Sequence, residues 1–401
     1  MSNFKLRNLL KITAIIARTS LLFLVAFACA AQPGADKRTS FRPGELWPDD
    51  KGVHIDAHGG GILLHDGIYY WVGEHRVGGG GGSTEAGVHL YSSTDLYNWK
   101  DEGIVFRSSD DPASEITRGC VMERPKLIYN AKTKKFVLWF HLELKGQGFL
   151  AARVAVAVSD RPTGPYTYVG SFRPNKGIWP INVTEDDKGP KPAVPQSPVR
   201  DQTRLQAASA GEYLRRDYET GQMSRDMTIF VDDDSKAYLV TSSEENATIA
   251  IMQLADDYLS FSGKWSRALV GDSNEAPAVF KHGGKYYMIS SGTTGWRANP
   301  GRSAVADSIF GPWTRLGNPS RGTPAQNAIT FESQATYVLP VPGKPDAFIY
   351  MGDRWRPQET VFGYYIWLPI EWEDGKPVLK WQDEWKLSDF DREAPSTAPN
   401  R

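Results

Sequence analysis

One strand motif recurs five times along the chain, and this repetition constrains the fold more than any other feature. Each copy has a polar turn, a pair of aromatic or β-branched residues, and an apolar strand that ends in small polar residues. The five copies lie at residues 65–74, 133–141, 233–243, 282–291 and 343–352. Repeats of one supersecondary unit are typical of architectures in which neighbouring units bury each other's apolar faces.

Further strand signals flank each copy of the motif. A short apolar strand precedes it across a tight turn, which predicts a hairpin. A third strand follows, and the fourth often carries an aromatic residue: Trp99, Tyr166, Trp265, Trp313 or Trp381. Four antiparallel strands, repeated five times, predict an all-β fold, a five-bladed β-propeller. An ordinary β-sandwich is the alternative, and five repeats in phase disfavour it.

The repeats also set the expected domain boundaries. They predict a propeller domain over residues 45–388, interrupted once by a stretch at 177–222 that is rich in Pro, Asp, Lys and Arg and lacks periodicity. A long stretch of this kind is usually a lid or a binding loop, so we expect an insertion loop that walls one side of a substrate cleft. Residues 31–44 read as a linker and 389–401 as a frayed tail.

The N-terminus has the pattern of an export signal. Three basic residues precede an apolar run, and residues 28–30, Ala-Cys-Ala, supply a small-x-small cleavage site. This pattern predicts a signal peptide over residues 1–30 and a protein that is periplasmic, on the cell surface or secreted. Cys29 also offers a site for a lipid anchor. The rest of the sequence predicts no membrane span.

The composition limits the classes of molecule that the protein is expected to bind. The chain has 46 basic and 47 acidic residues, a net charge of -1, which gives no electrostatic footprint for nucleic acid. Aromatic residues make up 12% of the chain, and their rings suit the apolar faces of sugars as well as β-sheet cores. We expect an oligo- or polysaccharide partner and a monomer. Seven His residues without paired ligand spacing predict no catalytic metal, and we expect no cofactor.

Four blades carry an acid or an amide just before the predicted inner strand. Because inner strands converge on the central funnel of a propeller, these side chains are expected to face one another. Glycosidic cleavage needs one protonated carboxyl for the leaving oxygen and a second group that handles water. A neighbouring like charge helps to keep one carboxyl protonated. The predicted catalytic set is therefore Glu123, Asp226, Glu275 and Gln334.

Two of these segments resemble glycoside hydrolase family 43. Residues 226–234 (DMTIFVDDD) resemble the strand that carries the family's pKa-modulating aspartate, and residues 274–277 (NEAP) resemble its general-acid motif. The resemblance runs from about residue 54 to 385. It implies inverting hydrolysis on a five-bladed propeller, with Glu275 as the general acid and Asp226 orienting it and tuning its pKa.

Other segments resemble the exo-β-1,3-galactanase branch of that family: AHGGG at 57–61, ERPK at 123–126, TTGW at 293–296 and SQ at 333–334. Most family members begin blade one with an Asp that serves as general base, and both this chain and the branch lack it. The resemblance implies that Glu123 and Gln334 surround the reacting sugar and that Gln334 positions or activates the water. A neutral amide is a poor base, so Glu123 stays a rival for that role and Asp56 is a third candidate.

The same resemblance implies a set of substrate contacts: Glu74, Arg124, Asn246, Thr293 and Trp296, with weaker candidates in Asp353 and Trp355. The function it implies is exo-acting release of galactose from β-1,3-galactan chains of the arabinogalactan type. An α-L-arabinofuranosidase or a β-xylosidase of the same family is the first alternative. A sugar-binding propeller without catalysis is the second.

Overall fold

A computed structural model describes residues 37–77, 85–194 and 202–391 of the 401-residue chain. The predicted signal peptide with Cys29, and most of the predicted tail, lie outside the described residues. Among the helices that are described, none combines the length and the hydropathy needed to cross a membrane.

In the described part of the chain, twenty strands form five antiparallel four-stranded sheets, each built from consecutive strands. This arrangement confirms the predicted five-bladed β-propeller. Blade one comprises β1 (His58–His65), β2 (Ile68–Val77), β3 (Glu85–Ser93) and β4 (Lys100–Arg107). Blade two comprises β5 (Val121–Asn130), β6 (Lys135–Glu143), β7 (Arg153–Ser159) and β8 (Thr167–Phe172). Blade three comprises β9 (Met227–Val231), β10 (Ala237–Ser243), β11 (Thr248–Leu254) and β12 (Phe261–Ala268).

Blade four comprises β13 (Asn274–His282), β14 (Lys285–Gly292), β15 (Arg302–Ala306) and β16 (Thr314–Gly317). Blade five comprises β17 (Gln334–Pro340), β18 (Phe348–Arg354), β19 (Tyr364–Glu373) and β20 (Lys376–Leu379). The inner strands β1, β5, β9, β13 and β17 contact one another in that order, and β17 contacts β1. The ring is therefore closed, and the strand starts that carry the predicted catalytic residues surround one funnel.

The aromatic residues predicted for the fourth strands mostly flank those strands. Trp265 lies within β12, whereas Trp99, Tyr166 and Trp313 directly precede β4, β8 and β16. Trp99 is nevertheless fully buried and packs on Trp71 with ring centres 5.2 Å apart. Its ring centre is also 6.3 Å from that of Trp367 in blade five, so this residue marks the packing between blades rather than strand membership.

The chain ends contribute to the core between blades one and five. Phe41 is 1% exposed, stacks on Trp385 and exchanges backbone hydrogen bonds of 2.8 and 3.1 Å with it. Burial of a side chain of this size stabilises the fold by roughly 1.5–3 kcal/mol. The predicted linker at 31–44 is therefore too long, because its last residues belong to the propeller. The same holds for the start of the predicted tail at 389–401, because Phe390 packs on Trp385.

The interruption at 177–222 contains short helices that the sequence pattern does not reveal. They are α1 (Gln202–Ser209) and α2 (Glu212–Arg216), after a 3₁₀ turn at Glu185–Asp187. Helices of two turns or fewer carry too few apolar positions to show a period of 3.6 residues. Ala208 and Leu214 are fully buried, so the insertion packs against the propeller. A third helix, α3 (Pro324–Asn327), and 3₁₀ turns at Thr360–Phe362 and Leu387–Asp391 complete the described elements.

Candidate active site

The inner strands of blades two and four carry the same β-bulge, directly after Glu123 and Glu275. Arg124 and Ala276, the next residues, both have φ of 54°, in the left-handed region. A side chain in this region costs about 1–2 kcal/mol, which Gly59 at the matching point of blade one avoids. Because a bulge bends its strand and redirects a side chain, it explains how both carboxylates turn toward the funnel.

These strand starts surround a cavity of about 170 Å³ at one end of the funnel. All four predicted catalytic residues line it, as do four of the five predicted substrate ligands. The lining consists of Glu74, Arg76, Glu123, Arg124, His141, Phe149, Arg225, Asp226, Asn246, Glu275, Gly295, Trp296, Gln334 and Trp355.

Arg124 connects the strands around the cavity. Its Nη2 donates to Asp226 Oδ2 at 3.0 Å and to Gln334 Oε1 at 2.6 Å, and its backbone N–H donates to Glu74 Oε1 at 2.9 Å. Burial by itself would lower the pKa of this guanidinium, but the charges of Asp226 and Glu74 outweigh it and raise the pKa. Arg124 is thus a permanent cation that fixes side chains from blades one, three and five.

Gln334 has a fixed orientation with its oxygen occupied. Oε1 accepts hydrogen bonds from Arg124 and from Trp355 Nε1 at 2.9 Å, and Nε2 donates to Ser291 Oγ at 2.9 Å. These partners define which end of the amide is the oxygen. Both lone pairs of the oxygen are engaged, which makes an already weak base weaker still.

Glu123 is held as an anion by two cations. Arg76 Nη2 lies 2.6 Å from Oε1, and His141 Nδ1 lies 3.0 Å from Oε2, while the other nitrogen of His141 contacts Glu143 at 2.9 Å. Burial would lower the pKa of His141, but the two glutamates raise it to about 9. Burial would raise the pKa of Glu123, but Arg76 and His141 hold it well below its usual range. Glu123 is therefore a weak proton acceptor.

Glu74 shares the Nη2 atom of Arg76 with Glu123, at 2.8 Å from its own Oε2. Burial raises the pKa of Glu74, so a proton resides more readily on Glu74 than on Glu123. The backbone of β1 passes close to this carboxylate, since a Cβ at Gly59 would lie 2.1 Å from Glu74 Oε1. A buried carboxylate of this kind suits a sugar hydroxyl as its partner.

Glu275 is oriented by two neighbouring blade-three residues. Asn246 Nδ2 donates to Glu275 Oε1 at 2.6 Å. Asp226 Oδ2 accepts the backbone N–H of Ala276 at 3.1 Å, which places a second carboxylate beside the acid motif. The two carboxylates are therefore neighbours, while the roles of Glu275 as proton donor and Asp226 as its modulator stay predictions.

Asn246 lies in a strained turn between β10 and β11. Glu244, Glu245 and Asn246 have φ of 51°, 57° and 62°, three consecutive left-handed residues. Such a conformation persists only where its surroundings enforce it. Here Arg267 Nε contacts Glu244 at 2.6 Å, and Arg216 contacts Glu245 at 2.9 Å, both in buried ion pairs.

Arg216 belongs to α2, so the insertion secures the turn that presents Asn246. None of the described residues of 177–222 lines the cavity. The described residues of the segment therefore do not wall this cavity, and Arg204 and Arg216 instead contact Glu245 in blade three.

Three predicted residues lie outside the cavity. Thr293 Oγ1 is 2.5 Å from Ser273 Oγ, and Thr293 lines a neighbouring pocket instead of the cavity. Asp56, the third candidate base, does not line the cavity either, because it turns toward His75 at 3.4 Å. Asp353 lies behind the site, where its carboxylate accepts the backbone N–H of Gly59 at 2.8 Å.

Four lining residues escaped the sequence analysis: Arg76, His141, Phe149 and Arg225. Two of them carried a usable signal. Arg76 is two residues from Glu74 and so shares its face of β2. His141 is the last residue of the second repeat, as Glu74 is of the first.

An aromatic rim completes the site. Trp296 is 37% exposed and meets Trp355 edge to face with ring centres 5.2 Å apart. The guanidinium of Arg76 lies 5.7 Å from the Trp296 ring, and that of Arg124 lies 5.3 Å from the Trp355 ring. Charged groups beside aromatic rings can bind the hydroxyls of a sugar and its C–H face at the same time.

The site and fold are similar to those of known enzymes. The model of glycosyl hydrolases family 43 matches residues 208–377. A solved β-1,3-galactosidase of that family, in complex with galactodeoxynojirimycin, is 49% identical with a TM-score of 0.81, covering 86% of this chain and 100% of its own. No curated protein sequence matches this chain.

Two exo-β-1,3-galactanases are more distant. The enzyme from Phanerochaete chrysosporium, solved with galactose, is 32% identical with a TM-score of 0.68, covering 87% of this chain and 68% of its own. The enzyme from Clostridium thermocellum is 33% identical with a TM-score of 0.69, covering 86% and 66%. With identity of 49% over the full length of one family enzyme, and with the predicted acid pair in one cavity, the chain belongs to glycoside hydrolase family 43 and is a glycosidase.

Proposed function

We propose that the protein releases galactose from one end of β-1,3-galactan chains of the arabinogalactan type. The observation that carries the proposal is the contact of Asn246 with Glu275 inside a small cavity that also holds Glu123 and Gln334. A cavity of only about 170 Å³, lined by the rings of Phe149, Trp296 and Trp355, favours a chain end over the middle of a chain. The similarity to two exo-β-1,3-galactanases and a β-1,3-galactosidase supports this substrate.

In the proposed reaction, Glu275 donates a proton to the glycosidic oxygen while water attacks the anomeric carbon from the opposite face. Because Asn246 donates to Oε1, it fixes the direction in which the carboxyl presents its acidic proton. Asp226 contributes the adjacent negative charge that keeps such a proton in place. The expected stereochemical outcome is inversion.

No side chain of the cavity is assigned as a strong base for the attacking water. Since the transition state resembles an oxocarbenium ion, the water loses its proton late, and a solvent water suffices to accept that proton. Gln334 is assigned the positioning of the attacking water through the second N–H of Nε2, because its oxygen is fully engaged and Arg124, Trp355 and Ser291 fix its amide. Glu123 is assigned to sugar hydroxyls. Azide should restore turnover in Gln334→Ala, where it replaces the water, and should not do so in Glu123→Ala.

The substrate assignment is tested with β-1,3-galactotriose, nitrophenyl α-L-arabinofuranoside and nitrophenyl β-xyloside, assayed side by side. We expect galactose from the triose and little product from the other two, with Glu275→Gln as the inactive control. Release of arabinose or xylose without galactose would overturn the assignment. A wild-type protein that binds the triose without turnover would instead favour the sugar-binding alternative.

We also propose that the protein is exported, on the basis of the N-terminal pattern. Cys29 is the candidate for a lipid anchor in that case. Mass spectrometry of the mature N-terminus distinguishes a lipid-modified Cys29 from cleavage after Ala30. An N-terminus that retains residues 1–28 in the native host would contradict export. Light scattering of the purified protein tests the proposed monomer.

A further inference from the structure

Three metal-binding side chains meet on blade one, outside the cavity. They are Asp56, just before β1, His75 on β2 and His89 on β3, and one ligand atom of each lies within 4.8 Å of the other two. Asp56 Oδ2 is 3.4 Å from His75 Nδ1. We propose that these three side chains bind one divalent transition-metal ion of the Zn²⁺ class, which joins the three segments and takes no part in the hydrolysis.

The backbone of blade one brings the two imidazoles together. In the register of β2 and β3, His75 lies opposite Gly87 and His89 lies opposite Gly73. Neither histidine therefore has a side chain directly across from it, and the two rings turn toward each other along the diagonal. Their centres are 6.1 Å apart.

Gly73 also allows the carboxylate to reach this cluster. A Cβ at Gly73 would lie 2.0 Å from Ala57 Cα, so the chain that precedes β1 rests directly on β2. This contact carries Asp56 to the side of His75. The side chains of Asp56, His75 and His89 are 15%, 18% and 14% exposed, so an ion from solvent can reach them.

A second carboxylate prepares His89 as a ligand. Asp101 Oδ1 lies 2.6 Å from His89 Nε2, and its other oxygen pairs with Lys51 at 2.7 Å. Metal-binding histidines usually donate their remaining N–H to a carboxylate, which fixes the tautomer. In the metal-free protein Tyr91, 3.2 Å from Nδ1, donates its hydroxyl proton there, and metal binding requires that proton to turn away.

The local charge also favours a cation. The carboxylates of Asp56 and Asp101 lie 3.4 Å from His75 and 2.6 Å from His89. The second cluster of potential ligands, Glu123, His141 and Asp226, differs because guanidinium groups already lie against its two carboxylates. Two imidazoles and one carboxylate suit Zn²⁺ and its transition-metal neighbours better than Mg²⁺ or Ca²⁺.

The test uses the tag-free full chain after dialysis against a chelator, with Zn²⁺ titrated by calorimetry and Tm measured with and without Zn²⁺. We expect one Zn²⁺ per chain and a Tm that rises with Zn²⁺. His75→Gln and Asp56→Asn should each weaken binding at least ten-fold and remove the rise in Tm. Asp101→Asn, which spares the ligands, should weaken binding about 10–100-fold. His282→Gln, a change in another exposed histidine–aspartate pair, is the matched control and should bind as the wild type does.

Co²⁺ added to the wild type gives an independent readout that needs no variant. Visible absorption bands of bound Co²⁺, removed by one equivalent of Zn²⁺, are expected. Stoichiometry and affinity that are equal in wild type and His75→Gln would overturn the proposal, and so would the absence of Zn²⁺ binding and of Co²⁺ bands in the wild type. Unchanged hydrolysis by the chelated wild type is expected in either case, so the outcome is separate from that for the proposed galactanase activity.

Discussion

Asn246 Nδ2 lies 2.6 Å from Oε1 of Glu275, and this contact joins a strained turn of blade three to the acid motif of blade four. The turn could not hold Asn246 there by backbone preference, since three consecutive residues in it are left-handed. Buried ion pairs with the insertion and with β12 enforce it. The orientation of the Glu275 carboxyl therefore depends on contacts outside the cavity.

Replacing Asn246 with Ala should lower kcat on β-1,3-galactotriose by about 10–100-fold, because the carboxyl loses the partner that orients it. KM should change little if Asn246 acts mainly on the acid. Initial rates over a range of triose concentrations measure both. Asn318→Ala, which removes an amide that does not line the cavity, is the control. Equal kcat in the two variants would contradict the assigned role.

Replacing Glu275 with Gln should reduce kcat on the triose by about 10²–10⁴-fold, the usual contribution of a general acid. Nitrophenyl β-galactoside should suffer much less, because its leaving group departs without protonation. NMR of the first product from the wild type should show α-galactose before mutarotation. Equal losses on both substrates would argue against proton donation by this residue, and β-galactose as the first product would exclude inversion.

Replacing Arg216 with Met should lower kcat about ten-fold, because Glu245 loses a buried partner and the turn around Asn246 relaxes. Removal of one member of a buried pair also costs about 3–5 kcal/mol of stability. Rates must therefore be measured well below Tm, with the folded fraction checked by circular dichroism. Arg215→Met, in the same helix, is the matched control. A kcat equal to that of the control would show that the insertion only stabilises the fold.

His141→Gln should change how stability depends on pH. The pKa of His141 is raised to about 9 in the folded protein, from an ordinary value of 6.5. A raised pKa contributes stability below the ordinary value and loses it as pH rises through the folded one. The gap in unfolding free energy between wild type and variant should therefore shrink between these values, by up to roughly 3 kcal/mol. A gap that urea unfolding finds constant over this range would contradict a cationic His141.

Replacing Trp355 with Phe should lower kcat several-fold, because Gln334 loses the indole N–H that fixes its oxygen while the ring stays in place. Trp296→Phe keeps a ring on the same rim without touching Gln334 and should mainly raise KM. Steady-state kinetics on the triose separate the two effects. A faster Trp355→Phe enzyme would indicate that Gln334 acts as a base once its oxygen is free.

The sequence repeats predicted most of the site because corresponding positions of the repeats occupy corresponding positions of the blades. Glu123, Asp226, Glu275 and Gln334 occupy equivalent strand starts, and equivalent starts in a closed ring must converge. Repetition could not assign their chemistry. The weak basicity of Glu123 follows from Arg76 and His141, whose contacts with it depend on the packing of blades one and two.

Other features lie beyond any repeat. Thr293 belongs to a segment that resembles the galactanase branch, yet its side chain contacts Ser273. The direction of this side chain depends on the geometry of the turn, which the sequence does not reveal. The role of Arg216 depends on how the insertion folds back on blade three. His75 and His89 are too far apart in sequence for a ligand pattern, and the register of β2 and β3 brings them together.

The pairing of Phe41 with Trp385 determines when activity can first arise. Glu74 comes from blade one and Gln334 and Trp355 from blade five, on the two sides of the seam that this pairing closes. A chain that has folded only as far as blade four holds Glu275 but has not completed that seam. The full cavity therefore forms last, whether folding takes place at the ribosome or after export.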